Sequence, residues 1–502
     1  TGVRNVAIGP SALYSNNIGQ KNVAIGNSAM YSNTTGIRNV AIGNDVLVFN
    51  TTGQKNVAIG DTSMYQNTGG INNVAVGSEA LKDNTTGNNN VAIGLECLKS
   101  NTTGIRNVAI GTTALRTNTI GTKNIAMGDS SLFSNTTGTE NIALGDAAMY
   151  QNITGEKNLA VGSAALVNNT TGSFNVALSY QSLYSNTTGQ FNVGIGYQTL
   201  YSNTTGQRNV AMGYQSLKDN TIGTDNIALG DNALTNNTTG QQNIAIGRDA
   251  MQKNTTGIRN VAMGASALRD GVSAINNTAV GWSALLSNTT GEQNVAVGSA
   301  ALTAATTGTK NTAIGYRTLL ANTSGSFNTA IGTDALKDLT IGVRNIAVGY
   351  QAAQNLTTGN ENIAIGFDAL ATSTTGFGNI AIGTNAATNA ASGSNCITIG
   401  DDAANSTTTI SNEITLGNSS ITTLRTAGNI LPFVDDSKDL GSASLRWANV
   451  YTGDIHLSNK GKKTGNKVDG TTGDWTIQEG DDSLFILNNK NGKKYRFKLE
   501  EM

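Results

Sequence analysis

The sequence has few of the residues that chemistry and membranes require. Of its 502 residues, one is histidine, two are cysteine, two are proline and 13% are charged. A single histidine, His456, excludes a histidine-rich zinc site, and no Gly-x-Ser-x-Gly elbow accompanies it. The net charge of −1 argues against a basic nucleic-acid surface, and no run of about 20 apolar residues could span a bilayer. We therefore expect no catalytic residue, cofactor or metal site, no nucleic-acid partner and no membrane insertion.

Glycine, with 60 residues, is in excess, and most of it follows a period of 17. The motif Asn-Val-Ala-Ile-Gly begins at Asn5 and returns every 17 residues as far as Asn379, in 23 copies. Its closing glycine holds 25 positions from Gly9 to Gly417, with Ser179 as the one exception. Such constant spacing is typical of a solenoid, whose units bury their apolar faces by stacking. The sequence therefore predicts a β-solenoid of about 25 coils over residues 1–417.

Each motif reads as a short strand. Val6 and Ile8 head two aliphatic columns that share one face of the strand, which we interpret as the core of the coil. Ala7 heads the column on the opposite face, and this column stays small in every copy. Because an exposed column would vary, we expect a neighbouring chain to pack there. A coil this thin also needs its faces covered, so the sequence favours an oligomer, and three chains around one axis would supply the cover.

The second half of the repeat supplies a core residue and a turn. Leu13 heads a column of leucine and methionine expected to fill the coil core, in a segment that is either a second strand or one helical turn. The copies of Asn33-Thr34-Thr35-Gly36 form the turn, whose glycine needs either a positive φ or a site with no room for Cβ. The asparagine that heads this turn fills the first 15 copies and is then lost, so we expect it to stabilise the turn locally.

The asparagines that open the motif stack one above another along the predicted coils. Amide side chains in register form ladders of hydrogen bonds along a stacking axis. We interpret the column as a structural ladder and not a binding site; its first members are Asn5, Asn22, Asn39, Asn56, Asn73 and Asn90. With about 4.8 Å between strands, the stack of coils forms a rod of roughly 120 Å, the length of a spacer.

The strand motif followed by a small residue and leucine resembles the head repeats of trimeric autotransporter adhesins, which are left-handed parallel β-rolls. The longer form, Asn-Thr-Thr-Gly-x-x-Asn-Val-Ala-Ile-Gly, is similar to repeats of bacteriophage tail fibres and related virion appendages. Near the C-terminus, Leu440-Gly441-Ser442 followed by Arg446-Trp447 and Val450-Tyr451 also resembles phage tail-fibre proteins, as does 470–480. These resemblances imply a homotrimeric fibre and a left-handed solenoid.

A composition change marks a second domain. Charged residues number 23 of 85 in residues 418–502, against 42 of 417 before them. Alternating segments predict β-strands at 475–477, 484–487 and 495–499, with a hairpin turn at 488–492. We expect this C-terminal β-rich module to be either a trimerisation cap or a receptor-binding tip. The aromatic residues that could contact a receptor at such a tip are Trp447, Tyr451 and Trp475.

Together these features favour a structural function. We expect a rigid, homotrimeric, non-enzymatic fibre of a phage or phage-like particle that mediates attachment to a host cell surface, which places it in the virion. Its partners are then its own copies, a glycan or protein receptor, and other particle proteins at a segment expected to precede Thr1. A bacterial surface adhesin or extracellular filament is the alternative. A polysaccharide depolymerase tailspike is a lesser one, because scattered carboxylates lack an inserted loop that would form a cleft.

Overall fold

The computed structural model describes residues 2–433, 440–442, 444–458 and 471–497, which form 29 strands and no helix. The chain divides into two compact units, Thr1–Ser420 and Ile421–Met502. The strands of the first unit are β1 (Val6–Ile8), β2 (Val23–Ile25), β3 (Val40–Ile42), β4 (Val57–Ile59), β5 (Val74–Val76), β6 (Val91–Ile93), β7 (Val108–Ile110), β8 (Ile125–Met127), β9 (Ile142–Leu144), β10 (Leu159–Val161), β11 (Val176–Leu178), β12 (Val193–Ile195), β13 (Val210–Met212), β14 (Ile227–Leu229), β15 (Ile244–Ile246), β16 (Val261–Met263), β17 (Thr278–Val280), β18 (Val295–Val297), β19 (Thr312–Ile314), β20 (Thr329–Ile331), β21 (Ile346–Val348), β22 (Ile363–Ile365), β23 (Ile380–Ile382), β24 (Ile397–Ile399) and β25 (Ile414–Leu416).

These strands form one parallel sheet in which each pairs with the next along the chain. The register is constant, so that Val6 pairs with Val23 and Ala7 with Ala24, and the same columns stay aligned to β25. The Val23 backbone N–H donates to the carbonyl oxygen of Asn39 at 2.8 Å, and the bond recurs along the shaft. The predicted parallel β-solenoid with a 17-residue period is therefore confirmed.

The prediction of which strand face lies inside the coil is wrong. The alanine column, represented by Ala24 and Ala41, is fully buried in the coil core, whereas the valine and isoleucine columns point outward and are half-buried or exposed. Alternation fixes which residues share a face but not which face is inside. The core is narrow and already holds Met30 and Ala29, so a small strand residue is required by the coil itself. The alanine column therefore gives no argument for a neighbouring chain.

The second half of the repeat is neither of the two expected elements. Ser28 and Met30 both lie in the left-handed region, with φ of 53°, and this alternation recurs in nearly every coil. A non-glycine residue in that region costs about 1–2 kcal/mol. Hydrogen bonds between coils offset this cost, as where the Met30 N–H donates to the Val46 carbonyl at 2.9 Å. The core position of the leucine column is as expected, but its backbone conformation was not predicted.

The turn glycines are explained by lack of space. A Cβ on Gly36 would lie 2.3 Å from Asn33 Oδ1 and 2.6 Å from the Gly53 carbonyl oxygen, without a positive φ. The glycines that close the strand motif differ, because Gly26 has a φ of 130° and also approaches the next coil closely. Of the two explanations left open for the turn glycine, the structure selects the second.

The second unit contains an antiparallel four-stranded sheet, formed by β26 (Asp454–Ser458), β27 (Asp474–Gly480), β28 (Ser483–Asn488) and β29 (Lys494–Arg496) in that order. The predicted β-rich module and its turn after β28 are confirmed. By register, one face of the sheet is mostly apolar, and we call it the apolar sheet face; it presents Ile455, Leu457, Trp475, Ile477, Leu484, Ile486 and Tyr495. The opposite face carries mainly polar and charged side chains.

Candidate functional site

The asparagines that open the strand motif satisfy one another inside the coil. Asn22 Nδ2 donates to the Gly36 carbonyl oxygen at 2.9 Å, and Asn22 Oδ1 accepts from the Asn39 backbone N–H at 2.9 Å. Asn39 Nδ2 also donates to Asn22 Oδ1 at 3.2 Å. Both side chains are fully buried, as are most of their counterparts. We call this column the strand ladder; its amides bind the protein's own backbone and present nothing to a ligand.

The asparagines of the turn form a second column, which we call the turn ladder. Asn50 Nδ2 donates to Asn33 Oδ1 at 2.8 Å and to the Gly53 carbonyl oxygen at 3.3 Å. That carbonyl also accepts from Asn39 Nδ2 of the strand ladder at 2.9 Å, so the two ladders meet at the turn glycine. Each coil is therefore tied both to itself and to its neighbours by buried amides.

The turn ladder breaks beyond Asn254. Gly271 and Ala305 interrupt it, which leaves the Oδ1 of Asn288 and both amide atoms of Asn322 without hydrogen-bond partners. Both side chains remain fully buried. The sequence showed that the column is lost, but it did not show that the remaining amides would be isolated in the core. Such groups normally carry a free-energy penalty, because burial removes their water without replacing it.

The outward face of the shaft strands is a continuous apolar surface of the first unit. Ile93 is 40% exposed and Met127 is 43% exposed, and the two columns remain aliphatic in almost every strand. Thr278, Thr312 and Thr329 are the polar exceptions in the valine column. We call this surface the strand face. It extends for about 120 Å at about 4.8 Å per strand, whereas apolar patches on soluble monomers rarely exceed a few hundred Å².

Charged side chains pair along the stack. Glu79 and Glu96 alternate with Lys82, Lys99 and Arg116, and Glu96 lies 2.9 Å from Lys99 Nζ and 2.7 Å from Arg116 Nε. Hydrogen bonds from Lys99 and then from Arg116 lower the pKa of Glu96 to about 2, and those from Lys99 and Lys82 also lower the pKa of Glu79. These residues neutralise one another, so they favour stability rather than ligand binding.

Aromatic side chains stack in the same direction. The ring centroids of Tyr180 and Tyr197 are 5.6 Å apart, and those of Tyr197 and Tyr214 are 5.4 Å apart. Phe174 and Phe191, which precede their strands rather than follow them, form a parallel stack at 5.0 Å. Because the rings face one another, they present mostly their edges to solvent, which disfavours the stacking of a sugar on a ring face.

The three aromatic residues expected at a receptor-binding tip have different surroundings. Trp475 lies on the apolar sheet face, where its ring is 5.8 Å from that of Tyr495. Trp447 and Tyr451 precede β26 and are 64% and 92% exposed. The structure does not bring Trp475 into the same environment as the other two. The quoted sequence resemblance also includes Gly470, which lies outside the described residues.

The single histidine lies beside a buried threonine hydroxyl. His456 Nδ1 lies 2.7 Å from Thr476 Oγ1, and Thr476 Oγ1 accepts a hydrogen bond from Asn489 Nδ2 at 2.9 Å. Thr476 is only 1% exposed, so its hydroxyl is enclosed within the sheet. In the described ranges, no group of three or more His, Cys, Asp or Glu side chains could hold a metal ion.

The two cysteines are enclosed in their own coils. Burial raises the pKa of the Cys97 thiol to about 12, and Cys97 packs in the core column opposite the strand. Cys396 takes the place of a strand-ladder asparagine, and its Sγ lies 3.4 Å from the Ile410 carbonyl oxygen. Within the part of the chain that the structure describes, no helix is long and apolar enough to cross a membrane. No protein-family model, curated protein or solved structure matches this chain.

Proposed function

We propose that this chain forms a homotrimeric, non-enzymatic fibre of a phage or phage-like particle, a rigid spacer that mediates attachment to a host cell surface. The observation that carries the proposal is the strand face, an apolar surface that runs the whole length of a shaft with no inserted loop. The resemblance of the repeats to phage fibres gives the biological setting. The strand ladder supports the mechanical part, since its amides tie each coil to the next from Asn5 to Cys396.

The strand face replaces the alanine column as the argument for association. Complete burial of a valine or isoleucine side chain contributes about 1.5–3 kcal/mol, so a half-exposed one still offers roughly 0.5–1 kcal/mol. Summed over two columns and the whole shaft, this is on the order of tens of kcal/mol. Copies of the chain are the occupants that fit, because only an equally long, straight and apolar surface covers the face along its full length.

The C-terminal module supports assembly more directly than receptor contact. Ile455, Leu457 and Tyr495 on the apolar sheet face are 41%, 53% and 48% exposed in a single chain. A small sheet with one apolar face needs a second layer to be stable. We therefore assign Trp475 to assembly and keep Trp447 and Tyr451 as receptor-contact candidates.

Three measurements test the proposed function. Sedimentation velocity of the full chain should show one species of three times the 51.7 kDa chain mass, and a monodisperse monomer would contradict the trimer. Immunoelectron microscopy with antibodies to the shaft should label appendages of particles from the source culture. Label confined to bacterial surfaces would instead support an adhesin. Incubation with host polysaccharide should release no reducing ends; their release would support a depolymerase.

A further inference from the structure

Two exposed columns flank the strand face. The leading column consists of the residue immediately before each strand-ladder position, such as Lys21 and Arg38. The trailing column consists of the residue immediately after each motif glycine, such as Asn44 and Asp61. Six residues of mostly extended chain separate the two columns in one coil, a distance of roughly 20 Å.

Within one chain, contacts run along each column and not between them. In the leading column, Lys123 Nζ lies 2.7 Å from Glu140, and the rings of Phe174 and Phe191 stack. In the trailing column, the rings of Tyr180 and Tyr197 stack in the same way. Across the described shaft, no ion pair, ring stack or cation–π contact joins a leading residue to a trailing residue. Their sequences therefore have no reason within one chain to match each other.

The two columns nevertheless match when they are compared one coil out of step. The trailing column between residues 10 and 401 contains thirteen charged or aromatic residues, and eleven of them correspond to a complementary leading residue of the preceding coil. The pairs, trailing residue first, are Asp61 with Arg38, Asp129 with Arg106, Asp146 with Lys123, Tyr180 with Lys157, Tyr197 with Phe174, Tyr214 with Phe191, Asp231 with Arg208, Arg248 with Asp225, Trp282 with Arg259, Tyr350 with Phe327 and Phe367 with Arg344.

All of these are opposite charges, cation–aromatic pairs or aromatic pairs, the combinations that stabilise contacts between surfaces. The two remaining trailing residues, Tyr316 and Asp401, correspond to the uncharged Gln293 and Gly378. No like charges coincide in this register.

Other registers fit less well. An in-step comparison sets Asp146 against Glu140 and Asp231 against Asp225. A shift of one coil in the opposite direction sets Asp129 against Glu140 and Arg248 against Arg259. Like charges directly opposite each other are unfavourable, so the pattern selects one register among its neighbours.

We propose that neighbouring parallel chains meet side by side, with the trailing column of one chain against the leading column of the next, shifted by one coil. This proposal rests on the proposed trimer and specifies its packing. Because both columns border the strand face, their contact encloses that face at the centre of the assembly. The apolar face supplies most of the attraction, and the flanking pairs fix which coil of one chain meets which coil of the next.

The match between two different columns also constrains the orientation of the chains. Two strand faces packed antiparallel, about a twofold axis perpendicular to the shaft, set like columns against each other, whereas parallel chains set the trailing column of one against the leading column of the next. The columns therefore favour parallel chains, as the proposed trimer requires.

Chemical cross-linking of the full chain tests the register. Phe191→Cys and Tyr214→Cys in one chain place thiols on a proposed contact, since the leading column of one copy then meets the trailing column of the next. Treatment with dibromobimane, which joins thiols a few ångströms apart, should convert this double variant into covalent trimers on denaturing gels. We expect a rate at least about 5-fold above that of the in-step pair Phe191→Cys with Tyr197→Cys. Native Cys97 and Cys396 are buried and serve in the wild type as the background.

The outcomes separate the packing from the oligomer itself. Equal or faster cross-linking of the in-step pair would overturn the one-coil register. Cross-linking of either single variant would show that like columns meet, which would overturn the cyclic packing. If the particle mass is that of a trimer but the Phe191–Tyr214 pair does not react, the packing is wrong and the proposed fibre stands. A monomeric mass would overturn both.

A charge exchange provides a second readout that needs no cysteine. Arg38→Asp should increase the rate of trimer dissociation several-fold, and Asp61→Arg in the same chain should restore it. Lys55→Asp is the matched control, because it lies in the same column but corresponds to the uncharged Ser78. Failure of Asp61→Arg to rescue Arg38→Asp would contradict the pairing.

Discussion

The turn ladder divides the shaft into two regions that use the same residue differently. Between Asn16 and Asn254, every turn asparagine has an amide neighbour on each side, except at the ends of the run. From residue 271 onward, the column mixes asparagine with Gly, Ala, Leu and Ser. Most buried polar atoms without hydrogen-bond partners in the described shaft lie in this second region, while Glu79 in the first still pairs with Lys99. A buried amide thus stabilises the solenoid as a member of a ladder and not as an individual residue.

Removal of an amide inside the continuous turn ladder should have the largest effect on the stability of the shaft. Asn135 Nδ2 donates to Asn118 Oδ1, and Asn135 Oδ1 accepts from Asn152 Nδ2, both at 2.8 Å. Asn135→Ala leaves Asn118 Oδ1 buried without a donor, so we expect a loss of about 2–3 kcal/mol. Hydrogen–deuterium exchange of the surrounding coils in the full chain measures this loss locally.

Asn322→Ala is the matched control in the second region. The Asn322 amide has no partner to lose. The same substitution should therefore change the free energy of opening of its coil, measured by exchange, by less than about 1 kcal/mol. Equal losses for Asn135→Ala and Asn322→Ala would show that the ladder does not cause the difference between the regions.

Repair of the broken ladder should produce the next largest effect, with the opposite sign. Ala305 lies between Asn288 and Asn322, so Ala305→Asn would give both isolated amides a neighbour at the 17-residue spacing that works elsewhere. We expect a gain of about 1–2 kcal/mol, measured as slower exchange in these coils. Ala304→Asn, one residue earlier on the half-buried side of the turn, is the control and should give no gain.

Only part of this architecture could be predicted from the sequence. The period, the strands and the ladder positions follow from identities alone, because stacking in register forces each column to repeat one environment. The inward face of Ala24 did not follow, since a small invariant residue fits a narrow coil interior as well as a close neighbouring chain. The left-handed backbone of Met30 had no signal either, because hydrogen bonds between coils override the local preference of methionine. The leading and trailing columns gain meaning only once the structure shows that they cannot touch within one chain.

Replacement of an isolated amide by an apolar residue should have a smaller effect. Leu339 occupies the turn-ladder position of the coil after Asn322 and is fully buried, so the second region already accepts leucine there. Asn322→Leu removes an unpartnered buried amide, and we expect a gain of up to about 1 kcal/mol. Thermal unfolding and local exchange both report it. A loss comparable to that of Asn135→Leu would mean that Asn322 has partners of its own.

The smallest effect expected is a pH dependence of opposite sign in the two regions. Cationic partners lower the pKa of Glu96 to about 2. The contribution of Glu96 to folding stability is therefore complete above its ordinary pKa of 4.5 and disappears as the pH falls from there towards 2. Asp368, with Oδ1 buried and unpartnered, has a pKa raised by desolvation. The contribution of Asp368 to folding stability is therefore complete below its ordinary pKa of 3.8 and disappears as the pH rises through the raised pKa. Both carboxyls lie near the surface, so each effect should stay below about 1 kcal/mol.

Local exchange, corrected for its intrinsic pH dependence, should show the coil of Glu96 loosening on acidification and the coil of Asp368 tightening. Glu96→Gln and Asp368→Asn should each abolish the change in their own coil. Parallel responses in the two coils would contradict the distinction between paired and isolated polar groups, because both carboxyls would then experience the same environment.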